Sequence, residues 1–379
     1  MVPVGELMVS RGGSVNPLQF PDEEFDLYSI PAFDSGEPEI AVGIEIGSTK
    51  QVVQPNDVLL SKIVPHIRRT WVVGDDRGRR LIGSGEWIVI RSERAWPKYL
   101  RHVLVGDPFH QQFMQTVSGV GGSLLRARPA FVAGISIPLP PLEEQRRIAA
   151  ILDQAETLRT QRRAALAQID SLTQSIFLNM FGDPVTNSKG WKILRLSDVG
   201  SLDRGVSKHR PRNAPELLGG AHPLVQTGEV ANCDGYIRSY KNSYSDVGLR
   251  QSKIWPVGTL CITIAANIAK TGILTFEACF PDSVVGFRAN EPATVEFVRV
   301  WLSFLQKALE DAAPESAQKN INLAILRDLR IPAPPLPLQQ SFASRIQAIE
   351  ALKATHRAAL AQLNALFAAL QQRAFAGAL

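Results

Sequence analysis

At 379 residues, 45% of them hydrophobic, the chain is too long for one small core and too apolar for a disordered segment. Its 41 basic and 36 acidic residues leave a net charge of +5, a mild bias that permits a nucleic-acid partner without requiring one. Three cysteines, Cys233, Cys261 and Cys279, lack Cys-x-x-Cys spacing and a histidine at zinc spacing, so they read as packing residues of a chain in a reducing cytoplasm.

Residues 1–13 hold no apolar core of signal-peptide length. Residues 1–137 are predicted as a first mixed α/β domain. In it, QPNDVLLSKI at 54–63 places a proline turn before an apolar strand. Lys62, His66, Arg68 and Arg69 follow in LSKIVPHIRR, and a loop at 75–80 adds Arg77, Arg79 and Arg80. A strand, WIVIRSE at 87–93, and a helical pattern, KYLRHVL at 98–104, come next.

Residues 138–183 are predicted as a long helix. Pro140 and Pro141 open it, Glu143 and Glu144 suit the positive end of its dipole, and Gly182 and Pro184 end it. Apolar residues in steps of three and four, Ile148, Ile151, Ala155, Leu158, Ala165, Ile169, Leu172 and Ile176, form a heptad seam interrupted at Arg162.

Residues 184–330 are predicted as a second mixed domain. DRGVSKHRPR supplies Arg204, Lys208, His209, Arg210 and Arg212. A strand at 255–264 leads to Asn267 and Lys270, which break the most apolar stretch of the chain (258–274), so no membrane span is expected. A strand at 284–291, a helical pattern at 296–302 and AQKNIN, with Gln318, Lys319 and Asn320, complete it. Residues 331–379 are predicted as a second long helix, with a seam at Phe342, Ile349, Leu352, Ala359, Leu363, Leu366 and Leu370, interrupted at His356.

The chain is written twice. IPLPPLEEQ at 137–145 matches IPAPPLPLQ at 331–339, and RAALAQ at 163–168 recurs at 357–362, all at an offset of 194. Turn, strand, strand, helix, proline segment and long helix therefore occur in the same order in both copies. A helix of that length cannot bury its stripe on one small domain, and its natural partner is its own copy, packed antiparallel. The expected class is α+β: two tandem mixed domains separated by two long antiparallel coiled-coil helices, a pseudo-twofold internal repeat. A rigid separator between two similar binding domains is a measuring device. On duplex DNA it reads two half-sites at a set gap.

The proline–helix segment from Ile137 to Ala149, with its degenerate copy from Ile331 to Ala343, resembles the specificity subunits of type I restriction–modification systems. The likeness runs over essentially the whole chain as recognition domain, helix, recognition domain, helix. It implies a bipartite, interrupted double-stranded DNA target, a helical platform for two adenine-methyltransferase subunits, and ATP-dependent restriction endonuclease subunits that join them. The subunit itself performs no bond chemistry. The second copy reads LPLQQSFA where the first reads LEEQRRIA, so its acidic first turn is missing.

Catalytic patterns are absent. Neither Pro21-Asp22 nor Pro281-Asp282 is followed by Glu-x-Lys, Asp107-Pro108-Phe109 lacks the second proline of a methyltransferase loop, and no phosphate loop occurs. No cofactor and no metal are expected. These cations and amides are the candidate DNA contacts, since Lys and Arg meet phosphates while Arg, Asn and Gln read base edges. Two alternatives stand beside this reading. One is a specificity subunit serving a stand-alone methyltransferase–nuclease polypeptide. The other is a coiled-coil adaptor that binds proteins rather than DNA.

Overall fold

The computed structural model describes residues 1–10, 12–119, 125–265, 268–311 and 321–379, without the side chains of 292–293 and 307–311. Four helices organise the chain: α1 (Pro97–Val105), α2 (Leu142–Phe181), α3 (Pro292–Asp311) and α4 (Leu336–Phe375). Both α2 and α4 have 40 residues, about 60 Å at about 1.5 Å per residue. The chain packs as two units, residues 1–163 with 358–379, and residues 164–357. Each long helix is thus divided between the units, and the packing does not follow the sequence segments, because each half-helix shares a core with a different sheet domain.

Unit 1 carries a five-stranded sheet in the order Ser14–Val15, Lys50–Val52, Arg80–Gly83, Glu24–Tyr28, Glu39–Val42. A three-stranded antiparallel sheet sets Val58–Ser61 between Thr70–Val72 and Trp87–Ile90. Unit 2 repeats that triplet: Leu260–Thr263 runs antiparallel between Thr271–Leu274 and Val284–Ala289, in a sheet extended by Gly200–Arg204 and Gly235–Ile237. A four-stranded mixed sheet completes unit 2. The strands Val58–Ser61, Trp87–Ile90 and Leu260–Thr263 are buried on both faces, as are the first four residues of Val284–Ala289, which explains why they read as strands without alternation.

The proline segments close each unit in the same way. Val2 pairs with Ile137 in unit 1, and Leu194 pairs with Ile331 in unit 2. A buried glutamine follows. Gln145 accepts from Trp96 N (2.7 Å) and donates to the carbonyls of Arg94 and Pro140; Gln339, 194 positions on, donates to the Pro334 carbonyl at 2.8 Å. Buried polar side chains of this kind keep a helix start from sliding, because any shift strands their hydrogen bonds.

In both units α2 and α4 pair antiparallel. In unit 1, Arg147 donates to the Leu379 carbonyl at 2.7 Å and Arg159 Nε to Asn364 Oδ1 at 2.8 Å. In unit 2, Lys353 meets Asp170 at 2.7 Å and the Phe181 and Phe342 rings lie 5.2 Å apart. The offset of 194 carries Arg159 to Lys353 and Asp170 to Asn364, so one contact is made twice with the helices exchanging roles.

The observed seam corrects the sequence expectation by one residue in every second step. The row Ile148, Ala155, Arg162, Ile169, Ile176 and its copy Phe342, Ile349, His356, Leu363, Leu370 is buried or half-buried. Its companion row is Leu152, Arg159, Leu166, Thr173 and, in α4, Ile346, Lys353, Leu360, Phe367. The expected row is displaced outward: Ile151 is half-buried, while Leu158, Leu172, Leu352 and Leu366 are 43–50% exposed. Hydrophobicity favoured the row with more leucine. The fold takes the row containing Arg159 because its guanidinium lies over Phe367 at 4.3 Å and is bonded by Glu156 (2.5 Å) and Asn364.

The cysteines are free; Cys261 and Cys279 are buried and Cys233 is half-buried. Among the described residues no helix is long and apolar enough to cross a membrane.

Candidate nucleic-acid interface

The sequence candidates of unit 1 lie between Val58–Ser61 and Thr70–Val72 and on the loop into Arg80–Gly83, which Arg80 opens, and four of them are paired with carboxylates. Arg68 meets Asp107 at 2.6 Å and donates to the Val105 carbonyl. Arg69 makes a two-pronged contact with Asp34 at 3.0 and 3.1 Å, which holds the Asp34 carboxyl below the ordinary range. Arg79 bonds the buried Asp26 at 2.8 Å and lies 3.9 Å from Glu24. Arg80 clasps Glu23 through two 2.5 Å contacts and covers the Phe20 ring at 4.1 Å. Lys62, half-buried, donates to the Gly85 carbonyl at 2.6 Å. Only His66 and Arg77 of this set are exposed without an ion pair among the described residues.

Unit 2 is different. Arg204, Lys208 and His209 are exposed and form no ion pair among the described residues. Arg210 and Arg212 share one carboxylate, Asp282, with Arg210 at 3.6 Å. Lys270 is half-buried, 3.3 Å from Gln306 Oε1, away from this group in sequence and on another strand end. Asn267, Gln318, Lys319 and Asn320 lie outside the described residues.

The structure adds residues that sequence reading did not select. Gln251 Oε1 accepts from the backbone N–H of Lys208 (2.7 Å) and of His209 (3.0 Å), and Ser252 Oγ donates to the Val206 carbonyl at 2.8 Å. This ties the 204–212 segment to 250–253 and brings exposed Arg250 and Lys253 beside it; Lys253 Nζ sits 4.1 Å from the Trp255 ring centroid. The signal was present in RQSK at 250–253, two cations in four residues directly before the strand Ile254–Trp255, but it was too short to stand out.

Such a set of cations has the chemistry to hold a polyanion. Among the described residues no group of three or more His, Cys, Asp or Glu is placed to hold a metal ion.

A second surface lies on the helices. The displaced row puts Leu158 and Leu366 on unit 1, and Leu172 and Leu352 on unit 2, each with one leucine from α2 and one from α4. In an antiparallel pair the same flanking row of both helices borders one side of the seam, so each unit presents an equivalent apolar flank.

A family model described as the type I restriction modification DNA specificity domain matches residues 102–168 and 188–365, well over half of the chain. The chain belongs to that family. The two matched blocks start on α1 and just ahead of the second clasp, and both continue along a long helix. Among curated proteins this family member is similar to the putative type I restriction enzyme MjaX specificity subunit of Methanocaldococcus jannaschii, 24% identical over 225 residues, 58% of this chain and 53% of that protein. The chain therefore matches about half the length of that relative. Among solved structures it is similar to a chain from work on complex assembly and conformational transition of the type I R-M system, with 23% identity, a TM-score of 0.60, and coverage of 100% of this chain and 97% of that one. It is also similar to the type I restriction-modification system S subunit from M. genitalium, with 10% identity, a TM-score of 0.62, and coverage of 98% and 95%. At these identities the solved chains establish a shared fold.

Proposed function

We propose that this chain is the non-catalytic DNA-reading subunit of a type I restriction–modification complex. Each sheet domain reads one half of an interrupted duplex target. The paired helices serve as spacer and as platform for two adenine-methyltransferase subunits, and ATP-dependent restriction endonuclease subunits join that core. One observation carries the reading: a member of the specificity family builds the same clasp, strand triplet and helix pair twice, with loop cations next to the duplicated strands. The repeated flank, Leu158 with Leu366 and Leu352 with Leu172, supports a platform for two copies of one partner, because equivalent surfaces bind equivalent subunits.

The test is selection. The chain, co-expressed with its methyltransferase, is presented with randomised duplex DNA and the bound fraction is sequenced. A two-part motif with a fixed gap is expected. A stable complex that enriches no motif would remove DNA reading and leave a protein adaptor.

A further inference from the structure

The two units treat their loop cations in opposite ways. In unit 1, Arg68, Arg69, Arg79 and Arg80 are each neutralised by a carboxylate of the same unit. In unit 2, the junction of 204–212 with 250–253 carries Lys208, Arg210, Arg212, Arg250 and Lys253 against one acidic partner, Asp282. Like charges gathered on a surface repel, so a fold keeps them together only at a cost that a bound anion removes. The junction also holds two buried polar groups without a hydrogen-bond partner, the Ser207 hydroxyl and the Gln251 Nε2 amide. Such groups are uncommon in folded proteins, and both lie in the two segments that carry these cations.

We propose that the Lys208–Arg250–Lys253 junction of unit 2 is a clamp for the phosphate backbone of duplex DNA, and that this unit supplies most of the salt-sensitive affinity of the chain. Unit 1 binds its half-site with fewer phosphate ion pairs from its candidate loops, because Arg68, Arg69, Arg79 and Arg80 are already committed to Asp107, Asp34, Asp26 and Glu23. The geometry of the clamp is set from below. Gln251 Oε1 pins the backbone at Lys208 and His209, and Ser252 pins it at Val206, so the cations project from a braced loop. Preorganised cations lose less entropy on binding than mobile ones do. This proposal rests on the DNA-reading function above and adds to it an uneven division of labour between the half-sites.

Salt dependence tests it. For B-DNA, log K falls against log[salt] with a slope of about −0.9 per phosphate neutralised. Affinity for the selected motif is measured from 50 to 300 mM KCl, with the chain in its methyltransferase complex. The triple variant K208A/R250A/K253A should lose about 2.7 from the magnitude of that slope, roughly 0.9 for each cation, while enriching the same motif. In unit 1, H66A/R77A should change the slope by less than about 1, because of these two residues Arg77 alone carries a permanent charge. The charge-conserving variant K208R/R250K/K253R should keep the wild-type slope, which separates lost charge from a damaged fold. An unchanged slope in the alanine triple with motif selection intact overturns the clamp and leaves the DNA-reading function standing. A larger slope change from the unit 1 variant overturns the division of labour. Failure of the wild-type complex to bind DNA at all removes both.

Discussion

The register of the helix seam can be decided by two leucines six residues apart. Leu152 is fully buried among Ile148, Ala149 and Ala155, whereas Leu158 is 44% exposed. Leu152→Ala removes about three methyl or methylene groups at roughly 0.8 kcal/mol each and leaves a cavity in a packed core. A cost of about 3 kcal/mol follows. Leu158→Ala leaves no enclosed space, and roughly half of the transfer term was never gained, so its cost is about 1 kcal/mol or less. Urea unfolding of the full chain, followed by helical circular dichroism, measures both. With a denaturant slope of about 2 kcal/mol per molar, Leu152→Ala lowers its midpoint by about 1.5 M and Leu158→Ala by less than about 0.5 M. Equal shifts, or a larger one at Leu158, would put the leucine-rich row back into the seam and refute the pairing described above. Ile346 (fully buried) and Leu352 (44% exposed) repeat the contrast in unit 2.

The flanking leucines should matter to assembly instead. L158R/L366R should cost the complex one methyltransferase copy, L172R/L352R the other, and all four substitutions both, read as stepwise losses in native mass; retention of both copies would sink the platform. Asn364→Asp should turn the Arg159–Asn364 hydrogen bond of 2.8 Å into an ion pair like Lys353–Asp170, adding about 0.5–1 kcal/mol that fades with added salt; a salt-independent change would contradict that origin. His102 is buried, which pushes its pKa down from the ordinary 6.5 against the opposing 2.7 Å hydrogen bond to Asp153. A folded-state pKa depressed below the unfolded one means that the unfolded chain protonates first. Stability is therefore complete above about pH 6.5 and declines as the pH falls below it. His102→Val, the residue at the matching position 300, should flatten the decline in unfolding midpoint between pH 7.5 and 5.5, and an unaltered decline would place the titration elsewhere. Gln251→Ala removes the brace under Lys208 and His209 but no charge. It should weaken DNA binding roughly tenfold with the salt slope unchanged; a changed slope would mean that the brace alters the number of phosphates held.

Much of the scaffold was legible in the sequence. The helix ends at Leu142, Phe181 and Phe375 follow from proline and glycine, and the offset of 194 locates the second proline segment and the second long helix. The companion row of the seam was not legible, because choosing it by apolar content rejects a row containing Arg159 and Lys353. Their burial depends on partners from the other helix: Asn364 and Phe367 for one, Asp170 for the other. The fate of the unit 1 cations was hidden for a similar reason. Arg69 finds Asp34 across 35 residues, Arg79 finds Asp26 across 53 and Arg80 finds Glu23 across 57, distances at which composition carries no pairing information. In unit 2 the tract 204–212 stood out in the sequence, while Arg250 and Lys253 are tied to it through Gln251 and Ser252.

Comparison of the two copies separates what the architecture needs from what each unit is free to change. The inward seam positions, the clasp strand and the buried glutamine at 145 and 339 occur in both copies, and each fixes where a helix starts or which row faces inward. The polar chemistry has diverged around that frame. His102 faces Asp153 where the second copy places Val300 at the helix position and Gln347 at the partner position, and Asn364 stands where the first copy has Asp170. A subunit that reads an asymmetric target needs this combination. On the proposed function the shared frame carries two recognition surfaces, and unlike surfaces let the half-sites differ in sequence and in how strongly the backbone is held. Neutralised arginines in unit 1 and an open cationic junction in unit 2 are two outcomes on one inherited scaffold. Exchanging loops between the units should therefore move the salt dependence with the 204–212 and 250–253 segments, while the seam, whose contacts do not involve them, keeps its register.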